Sequence, residues 1–187
     1  WWVGAGSRDE DEVSAGSTHF LEHLLFKGTA QRSAFDIAEA FDAVGGESNA
    51  ETGKEHTNYW ARVLSEDAPM AVEVLGDMIS ASLIDPEEFE IERGVILDEL
   101  AMSEDNPLEV VHEAFQLAVF GDNSLGRPVG GSAQTIRAVE RDHVWDYYRR
   151  VYAPSSLIIA AAGDVNHDEL VEQVQRSLRP TWAKELE

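Results

Sequence analysis

The sequence contains no cysteine among its 187 residues. Without cysteine, the chain can form neither a disulfide framework nor a thiolate ligand for a metal ion. Histidine and carboxylate side chains are therefore the only residues from which we expect a metal site. The absence does not identify a cellular compartment.

Long apolar runs are also missing. The longest apolar stretch lies around residues 157–162, whereas a helix that spans a bilayer needs roughly 18 to 20 apolar residues. We therefore expect a soluble protein with no membrane span, and the cytoplasm is the favoured compartment.

Positive charge is scarce, with 14 Lys and Arg against 36 Asp and Glu and a net charge of −22. The basic residues form no cluster, so the sequence argues against binding to nucleic acid, whose phosphates require clustered Lys and Arg. The simplest interpretation of the acidic surplus is a well-solvated surface. The alternative is a surface that attracts basic peptides.

Turn and cap signals divide the chain into alternating helical and extended segments without repeats, which predicts one α+β domain. A Gly-rich loop is expected over 121–131, and a short buried strand over 157–162. The other predicted strands are 1–6, 47–51 and 57–64, and the predicted helices are 17–26, 33–44, 66–82, 86–104, one following Pro107, 141–151 and 166–178.

The segment His19-Phe20-Leu21-Glu22-His23 carries the chemistry. Helical spacing places positions i, i+3 and i+4 on one face, so both imidazoles and the Glu22 carboxylate converge. Two neutral histidines can bind Zn²⁺ while a neighbouring glutamate takes a proton from the metal-bound water. A surface helix with two unrelated histidines is the alternative, and the pattern favours the metal site.

A catalytic zinc normally has three protein ligands, so one more is required. Glu88, Glu92 and Glu99 fall on one stripe of the helix after Pro86, although a solvated acidic face would look the same. Glu92 and Glu99 are about 10 Å apart along the axis, so both cannot easily bind one ion, and spacing does not choose between them. The remaining histidines are scattered, and we expect them to be structural or exposed: His56, His112, His143 and His167.

The order HxxEH is inverted relative to HExxH, and it resembles the inverzincins, the insulinase and pitrilysin family that includes the mitochondrial processing peptidase. The similarity extends over nearly the whole chain. It includes Gly4 to Glu10 (GAGSRDE), His19 to Thr29 (HFLEHLLFKGT), Gly45-Gly46, Asn49-Ala50 with Glu55 to Tyr59 (EHTNY), Glu92 to Glu99 (ERGVILDE), Leu125 to Pro128 (LGRP), Tyr152 to Pro154 (YAP) and Ala162 to Val165 (AGDV).

The resemblance implies a two-layer metallopeptidase fold of the kind shared by LuxS and the processing peptidases, with helices packed on one face of an antiparallel-rich sheet. It implies that Glu99 is the third Zn²⁺ ligand beside His19 and His23, and that Glu92 supports the site from behind the ligands. It also implies that the strand bearing Asn49, Ala50 and Glu51 lines the cleft and pairs with an extended peptide.

By the resemblance, we expect the family's first strand to precede Trp1 and the homologous second half, which contributes an Arg and Tyr pair, to lie outside this sequence. We expect residues 1–179 to form the N-terminal zinc-peptidase domain and 180–187 to be a linker or tail. The expected partners are a peptide substrate and a homologous C-terminal half or partner subunit. The predicted function is zinc endopeptidase, with Glu22 as general base; the alternative is a non-catalytic peptide-binding or assembly subunit of a two-subunit peptidase.

Overall fold

A computed structural model describes residues 1–179 and Trp182. Trp182 is buried and lies under the Arg179 guanidinium, 4.8 Å from ring centroid to guanidinium carbon. The remainder of the linker or tail predicted for 180–187 lies outside the described residues.

The described residues contain four strands and eight α-helices. The strands are β1 (Trp2–Val3), β2 (Glu47–Thr52), β3 (Thr57–Arg62) and β4 (Leu157–Ile158). The helices are α1 (Ser17–Leu25), α2 (Ala34–Asp42), α3 (Ala68–Ala81), α4 (Pro86–Glu104), α5 (Pro107–Phe120), α6 (Ala133–Ala138), α7 (Arg141–Val151) and α8 (His167–Ser177).

The strands form one antiparallel sheet in the order β2-β3-β1-β4, so β2 lies at an edge. Side chains alternate between its two faces. Val3 and Tyr59 are fully buried on the inner face, whereas Trp2 and Trp60 are 42% and 40% exposed on the outer face. The predicted α+β class, with helices covering one face of an antiparallel sheet, is confirmed.

Helix boundaries follow the local capping chemistry. Ser33 and Asp36 form a reciprocal capping box before α2, with the Asp36 amide donating to Ser33 Oγ and the Ser33 amide donating to Asp36 Oδ2. Asp85 accepts hydrogen bonds from the amides of Glu87 and Glu88, and Pro86 occupies the first position of α4. These two helices begin where their cap residues predict.

Two of the strand predictions are wrong in extent. The strand predicted over 157–162 covers only Leu157–Ile158 and is not buried, since Ile158 faces the outer side opposite Trp2 and is 69% exposed. The strand predicted over 1–6 ends at Val3, because the chain then turns and the amide of Ser7 donates to Gly53 O. The short helix α6 was not predicted.

The helices that carry the HxxEH segment and the carboxylate stripe, α1 and α4, pack directly on each other. Phe20 and Phe89 stack with ring centroids 4.3 Å apart and planes inclined by 8°. The Arg93 guanidinium lies over both rings, 4.8 Å from the centroid of Phe89 and 5.8 Å from that of Phe20. This contact sets the position of one helix relative to the other at the site.

Candidate metal centre

The first turn of α1 is held by a buried carboxylate. Glu10 Oε2 accepts a hydrogen bond from the Gly16 amide at 2.7 Å, and Glu10 Oε1 accepts one from the Thr18 amide at 2.5 Å. These bonds satisfy donors that a helix leaves free at its N-terminus. Burial raises the pKa of Glu10, and the hydrogen bonds from Thr18 and Gly16 offset part of that rise.

Three ligand atoms meet where α1 faces α4. His23 Nε2 lies 3.3 Å from His19 Nε2 and 3.3 Å from Glu99 Oε2, and the third side, between His19 Nε2 and Glu99 Oε2, is 3.8 Å. In tetrahedral zinc sites, bonds of about 2.1 Å separate neighbouring ligand atoms by about 3.4 Å. The three atoms therefore have the spacing that a zinc ion requires.

The surroundings of His19 favour metal binding over protonation. Burial lowers the pKa of His19, and the nearby His23 lowers it further, while Glu22 and Glu99 act in the opposite direction. A metal binds the neutral imidazole. His19 Nδ1 is buried and has no hydrogen-bond partner among the residues that the structure describes.

Glu92 lies behind the ligands and does not join them. Its Oε2 lies 2.9 Å from His23 Nδ1, and its Oε1 lies 2.7 Å from Lys27 Nζ. Burial raises the pKa of Glu92, but the hydrogen bonds from Lys27 and His23 outweigh it, so the pKa is lowered overall. A carboxylate on the far nitrogen orients a ligating histidine and increases its basicity.

Glu22 lies beside the three ligand atoms and accepts a hydrogen bond from a residue of the sheet. The Thr52 hydroxyl, at the end of β2, donates to Glu22 Oε2 at 2.5 Å. Glu22 and Glu99 both line each of two clefts, which have volumes of ≈ 520 and ≈ 710 Å³. The clefts therefore meet at the site, one on either side.

The edge strand β2 lines both clefts. Asn49 lines the first, and Ala50 and Glu51 line the second. Ala50 lies opposite Tyr59, whose amide and carbonyl bond to Trp1, the residue before β1. The Ala50 backbone groups therefore face the open edge. Its amide donates to Asn49 Oδ1 at 2.9 Å.

The four other histidines are exposed and lie outside the cluster, as expected: His56, His112, His143 and His167. Two contacts at the site were missed, namely Thr52 with Glu22 and Lys27 with Glu92. Lys27 follows His23 by four residues, so helical spacing was a signal for it. Thr52 had no such signal, because its contact depends on how the sheet meets α1.

An α+β domain in which one helix presents an HxxEH segment to a glutamate on a second helix is typical of a metallopeptidase. Residues 1–133 match the family model "Insulinase (Peptidase family M16)" and residues 138–180 match "Peptidase M16 inactive domain". The chain belongs to the insulinase family of peptidases.

Curated relatives are named as zinc proteases. The chain is 51% identical to an uncharacterized zinc protease of Streptomyces coelicolor over 182 residues, which are 97% of this chain and 40% of that protein. It is 41% identical to an uncharacterized zinc protease of Bacillus subtilis, covering 94% of this chain and 42% of that protein. The chain thus spans about two fifths of the length of these relatives.

Solved structures share the fold. A protease from Helicobacter pylori aligns with a TM-score of 0.90 at 23% identity, covering 94% of this chain and 43% of that one. Pitrilysin aligns with a TM-score of 0.83 at 22% identity, covering 96% of this chain and 20% of that one. No helix within the described residues has both the length and the apolar character needed to cross a membrane.

Proposed function

We propose that this chain is the zinc-binding half of an endopeptidase, in which His19, His23 and Glu99 hold Zn²⁺. The observation that carries the proposal is the triangle of ligand atoms, with sides of 3.3, 3.3 and 3.8 Å, next to the Glu22 carboxylate. Relatives named as zinc proteases support the choice of metal.

A bound Zn²⁺ would polarise the peptide carbonyl and make a water molecule more acidic. Glu22 would accept the proton of the attacking water and then transfer it to the nitrogen of the leaving amine. Thr52 bonds to Glu22 Oε2, and Oε1 has no hydrogen-bond partner among the described residues, so it is available for this transfer. Glu92 would hold His23 with its Nε2 lone pair directed at the ion.

Asn49, Ala50 and Glu51 would bind the substrate as an added strand. The open edge of β2 offers the backbone groups of Ala50, and main-chain hydrogen bonds give affinity that depends little on side chains. Binding would displace the Asn49 side chain from the Ala50 amide, with which it bonds in this structure. The peptide would then run past Glu22 and Glu99, which line the clefts on both sides.

Basic peptides are the substrate class that the larger cleft favours. Its walls include five glutamates together with Lys54 and His112, and the five are Glu22, Glu51, Glu99, Glu109 and Glu113. A concave acidic wall raises the local concentration of cationic ligands, an effect that salt screens. Cleavage of a basic peptide should therefore slow with rising ionic strength more than cleavage of a neutral one.

A homologous C-terminal half, or a partner subunit, would complete the enzyme. The chain spans 40% to 42% of the curated relatives, and both clefts are open. By its resemblance to the family, the other half would supply further groups to the substrate. Activity assays therefore need that half, either fused or added.

The test is cleavage of a quenched fluorescent peptide by the completed enzyme and its Glu22→Gln variant. Loss of the general base should slow turnover by about 10²- to 10⁴-fold while bound zinc is unchanged. Glu104→Gln, an exposed change at the end of α4, is the matched control. Its turnover and its zinc content should equal those of the unmodified protein. Substantial turnover by Glu22→Gln would refute the assigned role of Glu22. If the protein cleaves no peptide, and if it binds peptide equally well with and without zinc, the result would favour a binding subunit.

A further inference from the structure

Lys27 contacts Glu92, the carboxylate that lies behind the three ligand atoms. His23 lies in the last turn of α1 and Lys27 lies two residues beyond the end of that helix, with Glu92 from α4 between their side chains. Glu92 Oε1 lies 2.7 Å from Lys27 Nζ, and Glu92 Oε2 lies 2.9 Å from His23 Nδ1. Each carboxylate oxygen therefore has one partner, and the two partners differ in chemistry.

The Glu92 side chain is only 4% exposed, so it depends on protein groups for its hydrogen bonds and for compensation of its charge. A neutral imidazole supplies one donor and no charge. Lys27 supplies the cation, and by occupying Oε1 it leaves Oε2 as the acceptor that faces His23.

We propose that Lys27 is a positioning residue, which acts through Glu92 to keep the hydrogen of His23 on Nδ1 and the lone pair on Nε2. The inference depends on the proposed function only in its consequence for zinc, since Nε2 is the atom that faces His19 and Glu99. With Lys27 absent, the carboxylate has no fixed orientation, and His23 distributes between its two tautomers.

His19 should respond together with His23, because their Nε2 atoms lie 3.3 Å apart and only one of the two can donate in that contact. The exposed His143 on α7, outside the cluster, is the control histidine. A change at His23 and His19 that leaves His143 unaltered is local to the site. Lys27→Arg, which keeps the cation, separates the contact through Glu92 from a general disturbance of α1.

The location of Lys27 also suggests a rival role, which the experiments below distinguish. The residue is 30% exposed on its side chain and lines the same cleft as Asn49, where an ammonium could bind the substrate directly. In that case, loss of Lys27 would weaken peptide binding and leave the His23 tautomer and zinc affinity unchanged.

The first experiment is two-bond ¹H–¹⁵N correlation NMR of the histidine rings in zinc-free protein, at a pH about two units above the ordinary histidine value of about 6.5. The proteins are the unmodified chain, Lys27→Met and Lys27→Arg. We expect the Nδ1–H tautomer at His23 in the unmodified chain and in Lys27→Arg, a mixture in Lys27→Met, and an unchanged His143 in all three proteins. Lys27→Gln replaces Lys27→Met if the latter does not fold. An unchanged His23 spectrum in the neutral variant overturns the proposal.

The second measurement is zinc affinity by competition with a chelator. Lys27→Met should weaken binding about tenfold, at the lower end of what loss of a group behind the ligands costs. In Glu92→Gln, the added Lys27→Met change should have little further effect, since both act through one contact. Equal additive effects in the two backgrounds contradict the proposal. If the unmodified chain binds no zinc, the proposed function fails, while the tautomer in zinc-free protein still decides the role of Lys27.

Discussion

Thr52 and Glu22 are joined by a hydrogen bond of 2.5 Å between the Thr52 hydroxyl and Glu22 Oε2. The bond connects the end of the edge strand β2 with the helix that carries both histidines. This hydrogen bond thereby joins the proposed base to the strand that is proposed to pair with the substrate.

This contact predicts how Thr52 contributes to turnover. Thr52→Val keeps the shape of the side chain and removes the donor, so the orientation of Glu22 is lost, and we expect kcat to fall about tenfold, equivalent to about 1.4 kcal/mol. Thr52→Ser should retain most of the activity. Steady-state kinetics of the completed enzyme, with zinc content measured in parallel, test this. A change in KM alone would show that Thr52 contacts the substrate instead.

Glu92→Gln should weaken zinc binding by about 10- to 100-fold, because the His23 imidazole loses its charged partner. Competition with a chelating dye measures the effect in the zinc-loaded chain. Glu104→Gln, an exposed change on the same helix, is the control. Equal affinities for Glu92→Gln and the control would exclude a supporting role for Glu92.

Protonation of His19 should weaken zinc binding only as the pH drops below the ordinary histidine value of 6.5. The direction follows from burial, which lowers the pKa of His19 and so keeps the imidazole in the neutral form that binds metal. Protons then compete only at lower pH. Affinity measured in a series of buffers tests this, and a loss that begins above the ordinary value would contradict it.

The stacked pair between α1 and α4 should carry much of the local stability. Phe89→Ala removes a ring that is 1% exposed and should lower the free energy of unfolding by about 3 to 5 kcal/mol. Phe35→Ala, at a position that is 71% exposed, should change it by less than about 0.5 kcal/mol. Urea denaturation followed by circular dichroism compares the two. Similar losses of unfolding free energy in both variants would show that the stack of Phe20 on Phe89 adds little to stability.

The elements that were predicted well are those whose signal is local. Asp85 and Pro86 mark the start of α4, and the spacing of His19, Glu22 and His23 predicted a shared helix face, which the structure contains. The strand at 157–162 was predicted poorly, since apolar composition indicates burial only where another layer covers the residue.

The site could be predicted from the sequence only in part, for a similar reason. Spacing along α4 separated Glu92 from Glu99 by two turns but could not tell which of them lies beside the Nε2 atoms of His19 and His23. That choice depends on how the two helices pack, which the stack of Phe20 on Phe89 sets. Contacts between elements distant in sequence, such as Thr52 with Glu22, have no periodic signal.

The measurement that tests the central claim most directly is the zinc content of the purified chain by elemental analysis, beside a His23→Ala variant. The account predicts close to one zinc per unmodified chain, because His19, His23 and Glu99 form a single cluster, and its loss when one ligand is removed. The absence of zinc from the unmodified chain after addition of Zn²⁺, or equal zinc in both proteins, would contradict the assignment of these residues as a metal centre.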